Sequence, residues 1–154
     1  MKIEIRNLTV RYGQTTAIDN LSLTLDGEKI YGLLGRNAAG KTTLLSVLSA
    51  FRKASAGEVL IDSENPYENP RITRAISFIR DRLDAPDTER VSNVLRLAQA
   101  LRPHWDVEYA DKLIALFGLP VRKTVQALSR GQRSALGIVL GLASRSPLTI
   151  LDES

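Results

Sequence analysis

The segment that most constrains the fold of this chain is a glycine-flanked loop at residues 35–42, which reads GRNAAGKT. It fits the pattern G-x-x-x-x-G-K-[ST], in which glycine lets successive backbone N–H groups point inward and form an anion-binding nest. A helix that begins directly after such a loop presents its free N–H groups and its positive dipole end to a phosphate. We therefore predict a phosphate loop in which Lys41 reaches the β- and γ-phosphates and the Thr42 hydroxyl binds Mg²⁺.

The residues around this loop predict an α/β fold. Residues 30–34 are mostly apolar in succession, which is typical of a central parallel strand covered on both faces. Residues 42–51 place apolar side chains at helical spacing. Alternating apolar residues before the loop predict strands, with turns at residues 12–13 and 26–27. Short apolar runs predict further strands at residues 58–62, 75–79 and 148–151.

A helical segment interrupts this α/β pattern in the second half of the chain. Its apolar residues recur at helical spacing in two stripes, with Asp106 as the predicted N-cap of the second helix and Gly118 as its stop. We therefore predict one domain over residues 1–154. Its core comprises residues 1–84 and 126–154, and its inserted helical subdomain comprises residues 85–125.

Composition excludes several classes of protein. With 44% hydrophobic and 25% charged residues, the chain has enough apolar content for a core, and no stretch is long and apolar enough for a membrane span. The absence of cysteine excludes disulfides and thiolate metal sites, and the single histidine, His104, excludes a multi-histidine metal cluster. These features favour a reducing, cytosolic compartment. A net charge of +4 is compatible with binding to nucleic acid or to an acidic membrane surface, but an ordinary solvated surface is the favoured interpretation.

The apolar run at residues 148–151 ends in two carboxylates, Asp152 and Glu153. In a phosphate-loop enzyme, an acid at the end of a neighbouring strand holds Mg²⁺ directly or through water. The next acid can polarise the attacking water. Taken alone, the pair favours a solvated strand end. Together with the phosphate loop, it favours the metal and catalytic roles.

A third motif, LSRGQ at residues 128–132, precedes a helical run of apolar residues. Ser129 is a good N-cap for that helix. The motif fits two interpretations equally well: a capped helix start, and a second anion site at a helix N-terminus.

The three motifs in this order resemble the nucleotide-binding domain of an ABC ATPase, over the whole chain. The resemblance implies an α/β P-loop NTPase core with an N-terminal antiparallel β subdomain and an inserted helical subdomain, incomplete at the C-terminus. It also implies ATP and Mg²⁺ as ligands.

The resemblance further implies a role for each motif residue. Tyr12 would stack on adenine, Asp152 and Thr42 would serve Mg²⁺, and Glu153 would activate water. The signature residues would contact the ATP of a second copy in a head-to-tail dimer: Ser129, Arg130, Gly131 and Gln132. The phosphates would be held by Gly35, Arg36, Asn37, Ala38, Ala39, Gly40, Lys41, Thr42 and Thr43.

The chain departs from the family pattern at several positions. Arg130 stands where the signature usually has glycine, and Ser154 stands where the family usually has proline. Asp81 occupies the place of the Gln-loop glutamine. An ionised aspartate can bind Mg²⁺ but cannot donate a hydrogen bond, so Asp81 is a further candidate metal ligand, with a solvated ion cluster as the alternative.

The family's D-loop and switch histidine would follow residue 154. We therefore expect a cassette truncated after its Walker B strand, the apolar run at residues 148–151 with its two carboxylates, with weak nucleotide binding and little hydrolysis by this chain itself. His104 precedes the signature and is predicted to be a surface or packing residue.

The function that the resemblance implies is an ATP-hydrolysing subunit of an ABC transporter on the cytoplasmic face of the membrane. Its partners would be a second ATP-binding subunit and a transmembrane permease subunit, without nucleic acid. Residues 104–106 and 117–120 resemble bacterial exporter-type members, which favours export. The alternative is a nucleotide-dependent clamp on ribosomes or DNA. A small-molecule phosphoryl transferase is disfavoured, because it needs no second anion site at a helix end.

Overall fold

The computed structural model describes residues 1–80 and 85–152. The chain divides into two compact units, Met1–Ile76 and Ser77–Ser154. The first unit contains the phosphate loop, and the second contains the signature motif and the acid-ended strand. Each unit has its own set of buried apolar side chains.

The first unit is built on a three-stranded antiparallel sheet in the order β2–β1–β3. Its strands are β1 (Ile3–Tyr12), β2 (Thr15–Leu25) and β3 (Ala56–Ile61). Ile3 of the central strand lies opposite Leu25 on one side and Ile61 on the other. β1 and β2 are joined by a turn at residues 13–14, which confirms the turn predicted there.

Two helices accompany this sheet, α1 (Lys41–Leu48) and α2 (Pro70–Thr73). α1 buries Leu44, Val47 and Leu48, which lie on one face because they are three or four positions apart. The helix ends earlier than its apolar pattern predicts, and Phe51 is 64% exposed. The Asn69 side chain caps α2.

The central strand predicted at residues 30–34 is wrong. These residues form no strand, and Ile30 and Leu34 are almost fully exposed, at 103% and 93%. A strand covered on both faces needs hydrogen-bonded neighbours on both sides. Among the described residues of this unit, β1 pairs with β2 and with β3, and none of the three strands pairs with this run. The turn predicted at residues 26–27 therefore joins no hairpin.

The second unit contains a two-stranded sheet of β4 (Ile76–Arg80) and β5 (Leu148–Asp152). Ile76, the first residue of β4, is the last residue of the first unit. Both strands match short apolar runs from which they were expected. Within β5, Ile150 is buried whereas Leu151 is 49% exposed. The last strand therefore has one covered and one open face, although the sequence predicts a buried one.

Three helices supply the core of the second unit: α3 (Val91–Leu101), α4 (Val107–Phe117) and α5 (Arg130–Leu142). A short 3-10 turn at Val125–Ala127 leads into α5. One cluster of buried side chains joins them: Val91, Ala110, Leu113, Leu119, Val125, Leu128, Leu136, Val139 and Ala143. No helix in the described part of the chain is long and apolar enough to cross a membrane.

Asp106 and Gly118 cap the two ends of α4, as predicted. The Asp106 side chain accepts a hydrogen bond from the Tyr109 amide at 2.9 Å, and Gly118 ends the helix with a φ of 57°. Arg145, just after α5, donates through Nε and Nη2 to one Asp106 oxygen at 2.9 and 2.7 Å. The Tyr109 amide and the Arg145 guanidinium hold the pKa of Asp106 below its usual value.

Candidate nucleotide-binding site

The phosphate loop turns sharply before α1, with two residues in the left-handed backbone region. Ala38 has a φ of 65° and Gly40 a φ of 84°. Glycine is required at position 40, because a Cβ atom there would lie 2.5 Å from the carbonyl oxygen of Ala17. Alanine lacks the conformational freedom of glycine, and a left-handed conformation costs an L-residue such as Ala38 about 1–2 kcal/mol. Ala38 therefore adopts the curvature of the loop at an energetic cost.

Lys41 begins α1, and its ammonium group turns back into the loop. Nζ donates hydrogen bonds to the carbonyl oxygens of Gly35, at 2.8 Å, and of Arg36, at 2.9 Å. An ammonium group has three donors, so these two bonds leave one for a further acceptor. The positive charge is thus held within the loop, beside a helix N-terminus that already favours an anion.

The start of α1 has no side-chain cap of its own. Gly40 is the N-cap residue and has no side chain to accept a bond from the first helical amides. The first turn carries no acidic residue. The first N–H groups of such a helix need hydrogen-bond acceptors from water or a ligand. The oxygen atoms of a phosphate can supply them.

Tyr12 lies at the end of β1 and contacts the helix that follows the loop. Its hydroxyl lies 3.3 Å from Oγ1 of Thr43, within hydrogen-bonding distance. The guanidinium of Arg52 lies over the Tyr12 ring, with Cζ 3.9 Å from the ring centroid. The roles predicted for Tyr12 and Thr43 stay predictions. The contact with Arg52 was not predicted, because no sequence pattern marks a contact between residues so far apart in the chain.

The signature motif in the second unit forms the start of α5. Ser129 Oγ accepts a hydrogen bond from the Gln132 amide at 3.2 Å, and Gln132 Oε1 accepts one from the Ser129 amide at 3.0 Å. This reciprocal pair is a capping box. Arg130 and Gly131 are exposed in the first turn. The predicted N-cap is confirmed, and the anion-binding interpretation stays a prediction.

Arg133 ties the signature helix to the segment that precedes it. Its guanidinium donates to an Asp87 carboxylate oxygen at 3.3 Å and to the Gln126 carbonyl oxygen at 3.2 Å. These bonds fix the direction in which the chain enters α5. The sequence does not predict these contacts, because an arginine at this position is typical of an exposed helix surface.

The predicted Mg²⁺ site would need a bound nucleotide to complete the coordination of the cation. Among the described residues, no group of three or more histidine, aspartate or glutamate side chains could hold a metal ion alone. Mg²⁺ usually takes one or two protein ligands and completes its shell with phosphate oxygens and water. Thr42 lies in α1 of the first unit and Asp152 ends β5 in the second, and their role as Mg²⁺ ligands stays a prediction. The predicted roles of Glu153 and Asp81 lie outside the described residues.

The order of the three motifs agrees with a comparison against protein families. The family model described as ABC transporter matches residues 18–154, which include the phosphate loop, the signature and the acid-ended strand. The chain belongs to the family of ABC transporter ATP-binding domains. The family predicted from the motifs is thereby confirmed.

Two curated relatives show how much of the family's length this chain represents. The ABC transporter ATP-binding protein YtrB of Bacillus subtilis (strain 168) is 30% identical over 151 residues, which are 98% of this chain and 52% of that protein. The spermidine/putrescine import ATP-binding protein PotA of Pseudomonas aeruginosa (strain UCBPP-PA14) is 34% identical over 161 residues, covering 98% of this chain and 43% of that protein. The chain spans about half the length of the curated relatives it matches.

Two solved structures resemble the fold of this ABC domain. The ATP-binding subunit of an ABC transporter superposes with a TM-score of 0.86 at 21% identity, over 99% of this chain and 66% of that one. A nucleotide-free ATP-binding cassette from an ABC transporter gives a TM-score of 0.74 at 20% identity, over 99% and 69%. At these identities the likeness concerns the fold, and it confirms the predicted α/β P-loop class.

Proposed function

We propose that this chain is the ATP-binding part of an ABC transporter subunit, and that the whole protein hydrolyses ATP to drive a membrane partner. The observation that carries the proposal is the position of Lys41. Its ammonium is already held by the carbonyl oxygens of Gly35 and Arg36, inside the loop and at the start of α1. Phosphate oxygens entering this loop would meet a fixed positive charge and a helix end that favours anions.

The adenosine part of the nucleotide would extend from the loop towards β1. Tyr12 would stack on adenine, and Thr43 would bind the phosphates along with residues 35–42. The hydrogen bond between Tyr12 and Thr43 supports this arrangement, because it holds the aromatic ring next to the start of α1. Aromatic stacking suits a purine base, since the interaction needs only two flat faces.

Mg²⁺ would be held by Thr42 and Asp152, with Asp81 as a further candidate. When bound, the ion would neutralise charge that develops on the phosphates during transfer. Glu153 would accept a hydrogen bond from the attacking water and take up its proton. Hydrolysis would then rest mainly on positioning and electrostatic stabilisation.

A second ATP-binding subunit would complete the site through its signature helix. Ser129, Gly131 and Gln132 would contact the γ-phosphate bound by the other subunit, and Arg130 would add a cation beside it. The capping box is compatible with this role, because a serine hydroxyl can accept the Gln132 amide bond and still donate its own hydrogen to a phosphate oxygen.

The proposed location is the cytoplasmic face of the membrane, next to a transmembrane permease. The names of the relatives support transport as the general function, and one of them is named as an importer. The resemblance of residues 104–106 and 117–120 to exporter-type members favours export as our proposal for direction.

The replacement Lys41→Ala tests the phosphate-loop function. It removes the ammonium group from the loop, so ATP binding should fall at least about tenfold, as expected for the loss of a charge-assisted contact of about 1.5–3 kcal/mol. Binding is measured by fluorescence titration with a methylanthraniloyl ATP analogue. The matched control is Lys53→Ala, because Lys53 lies near the Tyr67 ring and outside the loop. Equal affinity in the Lys41→Ala variant and the unchanged protein would contradict the proposal.

A further inference from the structure

Arg52 is held against the strand that carries Tyr12. Its amide donates to the Ser46 carbonyl oxygen at 3.1 Å, just beyond the end of α1. Nearby, the Ser55 amide donates to the Thr9 carbonyl oxygen at 2.9 Å, and Ser55 Oγ accepts from the Arg11 amide at 3.0 Å. The segment that contains Arg52 is therefore tied to both α1 and the end of β1.

The Tyr12 side chain is held at two places by different parts of the first unit. Its hydroxyl meets Thr43 Oγ1 at 3.3 Å, and the Arg52 guanidinium covers the ring, with Cζ 3.9 Å from the centroid. Tyr12 nevertheless stays 44% exposed. Because the guanidinium occupies one face of the ring, a flat ligand could stack only on the opposite face.

We infer that Arg52 is a positioning residue for the nucleotide base, and that it supports Tyr12 from the face opposite to adenine. The result is a three-layer stack of guanidinium, phenol ring and purine. The inference rests on the proposed function, because it requires that Tyr12 stacks on the base. Arg52 contributes by fixing the ring before the base arrives, which reduces the ordering that binding requires.

The size of the expected effect follows from this positioning role. Holding one side chain in place before binding avoids an ordering cost that corresponds to about a two- to fivefold change in affinity. A lysine keeps the charge without the planar guanidinium, so it should recover part of that affinity. Arg52 acts only through the ring, so its removal should leave the binding of phosphates without a base unchanged.

The test compares two ligands, ATP and inorganic tripolyphosphate, by isothermal titration calorimetry. Arg52→Ala should weaken ATP binding about two- to fivefold and leave tripolyphosphate binding unchanged. The ATP affinity of Arg52→Lys should lie between that of Arg52→Ala and that of the unchanged protein. Lys53→Ala is the matched control, because Lys53 is the next residue and lies 5.8 Å from the centroid of a different ring, that of Tyr67. It should change neither affinity.

A double variant separates positioning from a general effect on the fold. In a Tyr12→Ala background, Arg52→Ala should cause no further loss of ATP affinity, because the ring through which it acts is absent. A further loss in that background would overturn the inference. So would equal losses for ATP and tripolyphosphate, which would indicate direct contact with phosphate, or an Arg52→Ala variant that binds ATP normally. If the unchanged protein binds tripolyphosphate and not ATP, the adenine role of Tyr12 is contradicted as well.

Discussion

The two helix ends that carry the family motifs are built in opposite ways. α1 begins after Gly40, which has no side chain and a left-handed backbone, and Lys41 folds back onto the loop. α5 begins after Ser129, which exchanges two hydrogen bonds with Gln132 in a capping box. The first end offers no side-chain acceptor to its leading amides, whereas the second supplies its own.

This difference assigns different tasks to the two ends. We expect the start of α1 to take a phosphate directly, because its loop curvature and its ammonium group are in place. The start of α5 is stable without a ligand, and Ser129 has only the hydrogen of its hydroxyl left to offer a phosphate. We therefore expect α1 to dominate nucleotide affinity and α5 to contribute when a second subunit presents its nucleotide.

The largest change in stability is expected for Gly40→Ala. The new Cβ would lie 2.5 Å from the Ala17 carbonyl oxygen, and the backbone would keep a φ near 84°. The left-handed conformation alone costs about 1–2 kcal/mol, and the collision adds to it. The free energy of unfolding should fall by at least about 2 kcal/mol in urea titrations, and ATP binding should weaken with it.

The matched control for this prediction is Gly131→Ala, in the first turn of α5. A Cβ there would meet no heavy atom within 4 Å. Alanine is favoured over glycine in helices, so stability should stay the same or rise by a few tenths of a kcal/mol. If both variants lose stability equally, the two helix ends do not differ in the way described.

An intermediate effect is expected for Ser129→Ala. It removes the acceptor for the Gln132 amide, so the free energy of unfolding should fall by about 1 kcal/mol, the usual loss for an N-cap serine. Ser129→Asp restores an acceptor and should keep the stability of the unchanged protein. Chemical denaturation curves distinguish the two variants, and an alanine variant of full stability would count against the cap.

The same pair of variants separates capping from contact with a second subunit. Aspartate keeps the cap but places a negative charge where the γ-phosphate of the other subunit is proposed to lie. ATP-dependent dimerisation, measured by analytical ultracentrifugation, should therefore be lost in Ser129→Asp, although its fold is intact. A dimer that forms normally would argue against the proposed role of the signature.

The smallest effect is expected for Ala38→Gly in the phosphate loop. Glycine removes a left-handed strain of about 1–2 kcal/mol but loses about 0.5–1 kcal/mol to the greater freedom of the unfolded chain. The net gain in unfolding free energy should be about 0.5 kcal/mol, measured as a shift of the urea midpoint. Ala39→Gly is the control, because Ala39 is not among the positive-φ residues and should lose stability instead.

Much of the second unit could be predicted because its signals are local. Asp106 and Gly118 bound α4 where their capping chemistry places them, and Ser129 begins α5 for the same reason. In the candidate site, the spacing of a few residues predicted the phosphate loop, whereas the role of Tyr12 was implied by the family resemblance and stays a prediction. Each of these features depends on neighbours within one or two turns of chain.

Other features could not be predicted because they depend on distant neighbours. The run at residues 30–34 has the apolar pattern of a central strand, but a strand exists only where other strands pair with it. The contact of Arg52 with Tyr12 and that of Arg133 with Asp87 each join separate segments. The left-handed backbone of Ala38 likewise contradicts the preference of alanine.

The sequence by itself determined the family, the phosphate-loop motif, the N-cap of the signature helix and the turn between β1 and β2. These rest on short-range chemistry: glycine freedom, capping side chains and alternating polarity. Only the tertiary structure decided which apolar runs become paired strands, which cation covers the Tyr12 ring, and that the two helix ends are finished differently. These outcomes could not be predicted because they depend on contacts between segments that are far apart in the chain. The pattern of apolar and polar residues does not specify which of these segments come into contact.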